Sequence, residues 1–259
     1  MIRLVRGFKD ILPDEASIWQ HVEAVSREVF HDYGFRALRV PILERTELFA
    51  RSIGATTDIV EKEMYTFTDR NGESLTMRPE ATASVVRAYI EHNLYATDPT
   101  WKLYTMGPMF RRERPQKGRY RQFNQINAEI FGLHDPRADA ELILVLTTLL
   151  DRLEISDIAL HINSLGCTDC RPDFKNALSV FLADRTERLC EDCVRRRDRN
   201  PLRIFDCKAP GCKDALQEAP SVLDHLCQAC RTHFETVQRA LERLAISYHT
   251  EHRLVRGLD

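Results

Sequence analysis

No stretch of this sequence is apolar over the length a bilayer-spanning helix needs, and its opening residues, MIRLVRGFKD, lack a signal-peptide core. A cytoplasmic protein without a membrane partner is expected. There is no GxGxxG and no GxxxxGK[ST], so any nucleotide must be held by some other device. Excess charge is also missing: 37 Lys+Arg against 39 Asp+Glu leave a net charge of −2 and a pI near 6.5. That balance excludes a generally basic nucleic-acid binder but leaves room for a local basic patch. Internal repeats and low-complexity tracts are absent, and no Ser–His or Cys–His pair stands out for covalent catalysis.

What is there begins with apolar periodicity. Ile18, Trp19, Val22, Val25, Val29, Phe30 and Tyr33 predict an amphipathic helix over 14–33, ended by Gly34. FRALRV reads as a strand stopping at Pro41, and YTFTD–RNG–ESLTMR as a hairpin turning near Asn71-Gly72. Pro79 is expected to start a helix with Glu80 in its first turn, where a carboxylate suits the dipole. A strand near 101–106, an apolar helix over about 139–153 and a strand at 158–165 follow. Residues 166–244 change character, with short charged helices and all eight cysteines. The last helix there carries Phe234, Val237, Leu241 and Leu244, and the closing residues read as a returning strand or hairpin. Hairpins among flanking helices favour an α+β fold on an antiparallel sheet.

The most informative stretch is Met106–Gly132, read as two extended segments joined by a basic loop. Arg111, Arg112, Arg114, Lys117, Arg119 and Arg121 surround the single acid Glu113. Because side chains alternate along a strand, Arg119, Arg121, Gln125, Asn127 and Glu129 share one face, interrupted by Phe123. Amides, a carboxylate and guanidinium groups beside a cationic loop suit a site for a zwitterion and a polyphosphate together. A second basic run, Arg195-Arg196-Arg197-Asp198-Arg199, reads as a solvated helix face.

The cysteines fall as Cys167-x2-Cys170, Cys190-x2-Cys193, Cys207-x4-Cys212 and Cys227-x2-Cys230. In a reducing compartment structural disulfides are not expected. Close pairs supply two thiolates each from one turn, the spacing of structural zinc sites, and eight ligands would make two sites. Spacing leaves their pairing open, along with redox-active CxxC chemistry and plain burial as other readings.

Several motifs together resemble a known family. RGFKDILP at Arg6–Pro13, the helix and strand ending at Pro41, TMRPEATAS at 76–84, FRRERPQKGRYRQFNQ and RLVRGLD at Arg253–Asp259 are similar to histidyl-tRNA synthetases, which are class II aminoacyl-tRNA synthetases. The resemblance implies a catalytic core over 1–165 with motifs 1 and 2, a helical cysteine-rich insertion over 166–244, and a return to the core at 245–259. It implies ATP-dependent activation of L-histidine, with Mg2+, and transfer to the 3′ end of histidine tRNA, in a homodimer built on motif 1. Arg111 and Arg256 would be catalytic cations at the α-phosphate, and Glu113 would join Arg111 in binding ATP. Glu80, Ala81, Thr82, Gln125 and Glu129 would bind histidine; Gln116, Lys117 and Arg119 would meet the tRNA end. Asn124 stands where the family often has His, on the face away from the substrate groups. The resemblance leads one to expect motif 3 and an anticodon-binding domain after Asp259, so the 259-residue chain is expected to be an incomplete, poorly active ligase. The rival readings are the synthetase-like regulatory subunit of ATP phosphoribosyltransferase in histidine biosynthesis, a class II synthetase for another amino acid, and a zinc-ribbon interaction module.

Overall fold

A computed structural model describes residues 2–54 and 59–254. Their contacts divide the chain into two units: Met1–His134 with Val145–Ser156, and Asp135–Leu144 with Asp157–Asp259.

The first unit opens with α1 (Pro13–Asp32). Pro13 fills a position whose N–H would have no helical partner, and Asp14 and Glu15 sit at the positive end of the dipole. Its apolar stripe turns Val29 and Phe30 inward, while Ile18 stays exposed. Then come β1 (Arg36–Ala37), β2 (Leu43–Arg45), α2 (Thr46–Ile53), β3 (Tyr65–Thr68), β4 (Ser74–Met77), α3 (Thr82–Glu91), α4 (Leu94–Thr97), β5 (Trp101–Phe110) and β6 (Gln122–Phe131). They form two three-stranded sheets, β1-β5-β6 and β2-β4-β3. The helix α5 (Pro136–Arg152) begins in the second unit and ends in the first.

The elements make the expected α+β fold, with three corrections. The first sheet is mixed, because β1 runs parallel to β5. The whole β2–α4 excursion separates the two strands, which gives the chain the length a parallel crossover needs. FRALRV forms only the two paired residues of β1. The β3–β4 hairpin turns at Asn71-Gly72 as expected, and its loop is organised by Asp69, whose Oδ1 accepts the backbone N–H groups of Asn71 and Glu73 at 2.8 Å each. Finally, β5 and β6 pair without interruption from Trp101↔Phe131 to Phe110↔Gln122, and the segment 111–121 lies beyond both strand ends.

Arg78 ties the two sheets together. It is only 4% exposed. Its Nε donates to the Pro108 carbonyl at 2.9 Å and its Nη1 to the Val40 carbonyl at 2.8 Å. The Phe110 N–H donates back to the Arg78 carbonyl at 3.0 Å. A Cβ on Gly107 would stand 2.7 Å from Arg78 Nη2, so the strand beside the guanidinium needs glycine there.

In the second unit β7 (His161–Ile162) is shorter than the strand expected over 158–165. It is followed by α6 (Cys170–Ala183), α7 (Glu191–Arg199), α8 (Pro210–Ala215), α9 (Gln228–Arg243) and β8 (His249–Thr250). β8 returns parallel to β7. One core gathers Phe174, Leu178, Leu182, Leu202, Ile204 and Val222; another gathers Ala140, Ile162, Val237 and Leu241. Leu244, expected within the last helix, follows it as its cap and is 45% exposed. Among the described residues no helix is long and apolar enough to cross a membrane.

Replacing Arg78 by Met should lower the unfolding free energy by about 3 kcal/mol or more, because buried carbonyls lose their donors. Arg78→Lys should recover only part of that, since an ammonium lacks the planar fork. Urea unfolding followed by tryptophan fluorescence measures both; a change below about 0.5 kcal/mol would contradict the role.

Candidate functional site

The site grows from the five residues that follow β4. Arg78 is locked in the core, and Pro79 cannot continue β4 as a donor. Glu80 therefore falls before α3, outside the helix where the sequence pattern places it. Its carboxylate accepts the backbone N–H of Thr82 through Oε2 and that of Ala83 at 3.0 Å through Oε1. Both donors belong to the first turn, whose N–H groups have no partner within the helix. Ala81 is fully buried, so its methyl packs into the core.

Strand β6 supplies the opposing wall. Register places Gln125 opposite Gly107, Asn127 opposite Thr105 and Glu129 opposite Leu103, on the face that alternation assigns to them. Thr82 Oγ1 donates to Glu129 Oε1 at 2.8 Å, and Asn127 Nδ2 donates to the same hydroxyl at 3.3 Å. Glu80, Thr82, Asn127 and Glu129 thus form one polar surface between α3 and β6. Asn127 shares the predicted face, and that alternation is the signal by which it could have been included with the histidine-binding candidates.

Two features set the electrostatics. Burial pushes Glu129 above the usual carboxylate range; the Thr82 hydroxyl pulls the other way, and the charge of Glu80 adds to the rise. Gln125 Oε1 and Asn127 Oδ1 are buried with no hydrogen-bond partner among the described residues. Unpaired buried carbonyl oxygens are costly and uncommon. Beside two carboxylates, they make a wall of acceptors.

Cations border this wall. Arg111 Nε donates to the Pro79 carbonyl at 2.8 Å, and its guanidinium lies over the Phe123 ring, 5.1 Å from the centroid. Phe123, which interrupts the polar face in sequence, is thus the platform for the cation. Glu113 and Arg119, expected to serve different ligands, form an ion pair at 3.1 Å. Gln116 and Arg119 bridge each other across Lys117-Gly118 at the exposed loop tip. The loop base is held by the N-terminal segment: Arg121 N donates to the Gly7 carbonyl at 2.6 Å. A Cβ on Gly7, which has φ +90°, would stand 2.7 Å from Arg121 Cδ. Arg256 lies outside the described residues.

The second unit gathers the cysteines into two groups, Cys167, Cys170, Cys227 and Cys230, and Cys190, Cys193, Cys207 and Cys212. The backbone N–H of Cys193 is the main cause holding the Cys190 thiol down at about 7, while burial pushes Cys230 up to about 12.

Comparison with known proteins adds the following. A profile described as histidyl-tRNA synthetase matches residues 7–258. The histidine–tRNA ligase of Desulforapulum autotrophicum is 60% identical over 259 residues, covering 100% of this chain and 61% of that protein. The histidine–tRNA ligase of Desulfatibacillum aliphaticivorans is 58% identical, covering 100% and 62%. The crystal structure of apo S. aureus histidyl-tRNA synthetase superposes with a TM-score of 0.78 at 35% identity, covering 100% of this chain and 59% of that one. The chain therefore spans about 61% of the length of the first of these relatives.

The raised pKa of Glu129 predicts a pH signature. Its ionised form opposes folding; the penalty is absent in acid and grows as pH rises from the ordinary carboxylate value through the raised one. Glu129→Gln should therefore match or exceed the parent in stability at neutral pH and lose that advantage in acid. Denaturant unfolding across pH reads this directly. A variant less stable at neutral pH, with no acid convergence, would reverse the assignment.

Proposed function

The chain belongs to the histidyl-tRNA synthetase family, and from that premise we propose that its first unit holds the amino-acid-activating site of a histidine–tRNA ligase. The observation that carries the reading is the acceptor wall. Glu80, Gln125, Asn127 and Glu129 present carboxylate and amide oxygens, two of them buried without a partner among the described residues. The ligand that satisfies such a wall is rich in N–H donors. Histidine brings an α-ammonium, assigned to Glu80 and Gln125 with Thr82 beside them, and an imidazole N–H, assigned to Glu129. Ala81 takes part through its backbone.

In the proposed reaction an oxygen of the histidine carboxylate attacks the α-phosphorus of ATP, the bond to the β-phosphate bridging oxygen breaks, and pyrophosphate leaves. The terminal ribose hydroxyl of histidine tRNA then attacks the acyl carbon, losing its proton as AMP departs. Neither step calls for a covalent protein nucleophile, so rate comes from positioning and charge stabilisation. Arg111, fixed by the Pro79 carbonyl and the Phe123 ring, is assigned to the α-phosphate and the substrate carboxylate. Arg256 is assigned there as a second cation, and Glu113 to the adenine side of ATP. Mg2+ accompanies the nucleotide and, when bound, neutralises phosphate charge.

Gln116, Lys117 and Arg119 are exposed at the loop tip and are assigned to the tRNA end, where phosphate contacts position without reading sequence. Arg119 would exchange Glu113 for a phosphate. The domain reading, with a core over 1–165, a helical insertion over 166–244 and a return at 245–259, is part of the same proposal. So are a cytoplasmic location and a homodimer; exposed Leu12 and Ile18, at 65% and 63%, support a partner surface near motif 1. The regulatory-subunit alternative is not favoured, since relatives at 58–60% identity are named as ligases.

The test is amino-acid-dependent ATP–pyrophosphate exchange, run on this chain and on the chain extended to its relatives' length, with calorimetric titration of L-histidine into each. Histidine alone among the standard amino acids should bind and drive exchange. Glu129→Gln should weaken histidine about tenfold or more, and Arg111→Gln should slow exchange by about 10²–10³-fold. Exchange driven by another amino acid, or no histidine binding to either protein, would overturn the reading.

A further inference from the structure

Independently of the synthetase reading, we infer that the second unit carries two structural zinc ions, each held by four cysteine thiolates, with one site nested inside the other along the chain. The outer site takes Cys167 and Cys170 from the start of the module and Cys227 and Cys230 from its end; the inner site takes Cys190, Cys193, Cys207 and Cys212. Within each group the sulfurs all lie within 4.8 Å of one another. Cys167 and Cys170 stand 3.5 Å apart, and Cys190 and Cys207 3.8 Å. Four thiolates about 2.3 Å from a tetrahedral zinc are about 3.8 Å from each other, so these groups need little movement to close on the ion.

Two further observations point to a cation and away from simple burial. Each cluster has a backbone N–H directed at a sulfur: Cys227 N donates to Cys170 Sγ at 3.1 Å, and Cys190 N to Cys212 Sγ at 3.2 Å. Such bonds offset the negative charge that four thiolates leave after zinc is counted. The same two residues, Cys190 and Cys227, are the caps of α7 and α9, with Cys193 and Cys230 in the first turns. Both knuckles thus sit where helix N-termini favour thiolate. The chemistry of the ligand set selects the ion, because four thiolates in tetrahedral array suit zinc and suit oxygen-seeking cations poorly.

The two sites differ in surroundings. Cys193 and Cys212 are 0% and 1% exposed and belong to the core built on Phe174, Leu178 and Ile204. Cys227 of the outer site is exposed. The outer ion joins residues 57 positions apart, between the segment after β7 and the start of α9, whose far end leads into β8 beside β7. It therefore closes the base of the module, while the inner ion fills its centre. A module this small has a modest core and commonly needs such a staple.

The test starts from the full chain purified in zinc-supplied medium without chelator. Elemental analysis should find two zinc ions per chain, and the chromogenic zinc chelator 4-(2-pyridylazo)resorcinol should report their release in two phases during titration with p-mercuribenzoate, the outer ion first. Cys170→Ser with Cys227→Ser should leave one zinc, released in the slow phase alone. Because substitution in the inner site could unfold the module, the unsubstituted chain is also loaded with Co2+. It should show the visible d–d bands and near-ultraviolet thiolate band of tetrahedral four-sulfur cobalt, at twice the intensity of the double variant. Zinc at or below one per chain, cysteines recovered as disulfides, or an octahedral cobalt spectrum would each overturn the two-site assignment.

Discussion

The buried guanidinium of Arg78 is the interaction on which the first unit depends. It joins backbone carbonyls from the segment before β2 and from the end of β5, and so fixes where the chain leaves β4. Burial works against its charge, and the nearby charge of Glu44 and the fork of donors on surrounding carbonyls offset that cost. The contacts on the α3 side of the site follow within four residues. Pro79 offers its carbonyl to Arg111, Glu80 caps α3, and Thr82 reaches Glu129. A shift at Arg78 would reach all three contacts.

The same arrangement explains why the site opposes stability. Two carboxylates and two amide oxygens converge where solvent is limited, and Glu129 responds with a raised pKa. A fold selected for stability alone would place apolar side chains between α3 and β6. In the proposed site, donors from a ligand would relieve the electrostatic cost, and the free energy held in the acceptor wall would then be available to binding. Pre-organised acceptors also pick out cationic, N–H-bearing ligands over isosteres that lack those donors.

Much of this is legible in the sequence because it rests on short-range geometry. Alternation along β6 is enough to put Gln125, Asn127 and Glu129 on one face, and register against β5 keeps them there. Pro13 and the acidic residues after it mark the start of α1. Less legible is anything set by a distant partner. The residue that locks the site, Arg78, looks in sequence like one more cation beside a proline. Phe123 looks like an interruption and proves to be the platform of Arg111. Glu113 and Arg119, which the family resemblance gives to separate ligands, are paired with each other. FRALRV has strand propensity along its length, yet only Arg36 and Ala37 pair in register with β5, and the contact ends where the Leu38 N–H donates to the Tyr104 carbonyl at 2.8 Å.

The cysteines divide the two kinds of information most clearly. Spacing of two to four residues is local, and it determined that the cysteines come as four close pairs, each able to turn two sulfurs the same way. Which pairs meet is a long-range matter. Packing of α6, α7 and α8 around one apolar core, with Cys230 at the start of α9 against it, brings the first pair to the last and leaves the middle two to each other. Sequence determined the face of β6, the start of α1 and the sulfur pairs, because each depends on backbone geometry over a few residues. Tertiary structure alone decided what those features face, because that depends on burial between segments far apart in the chain.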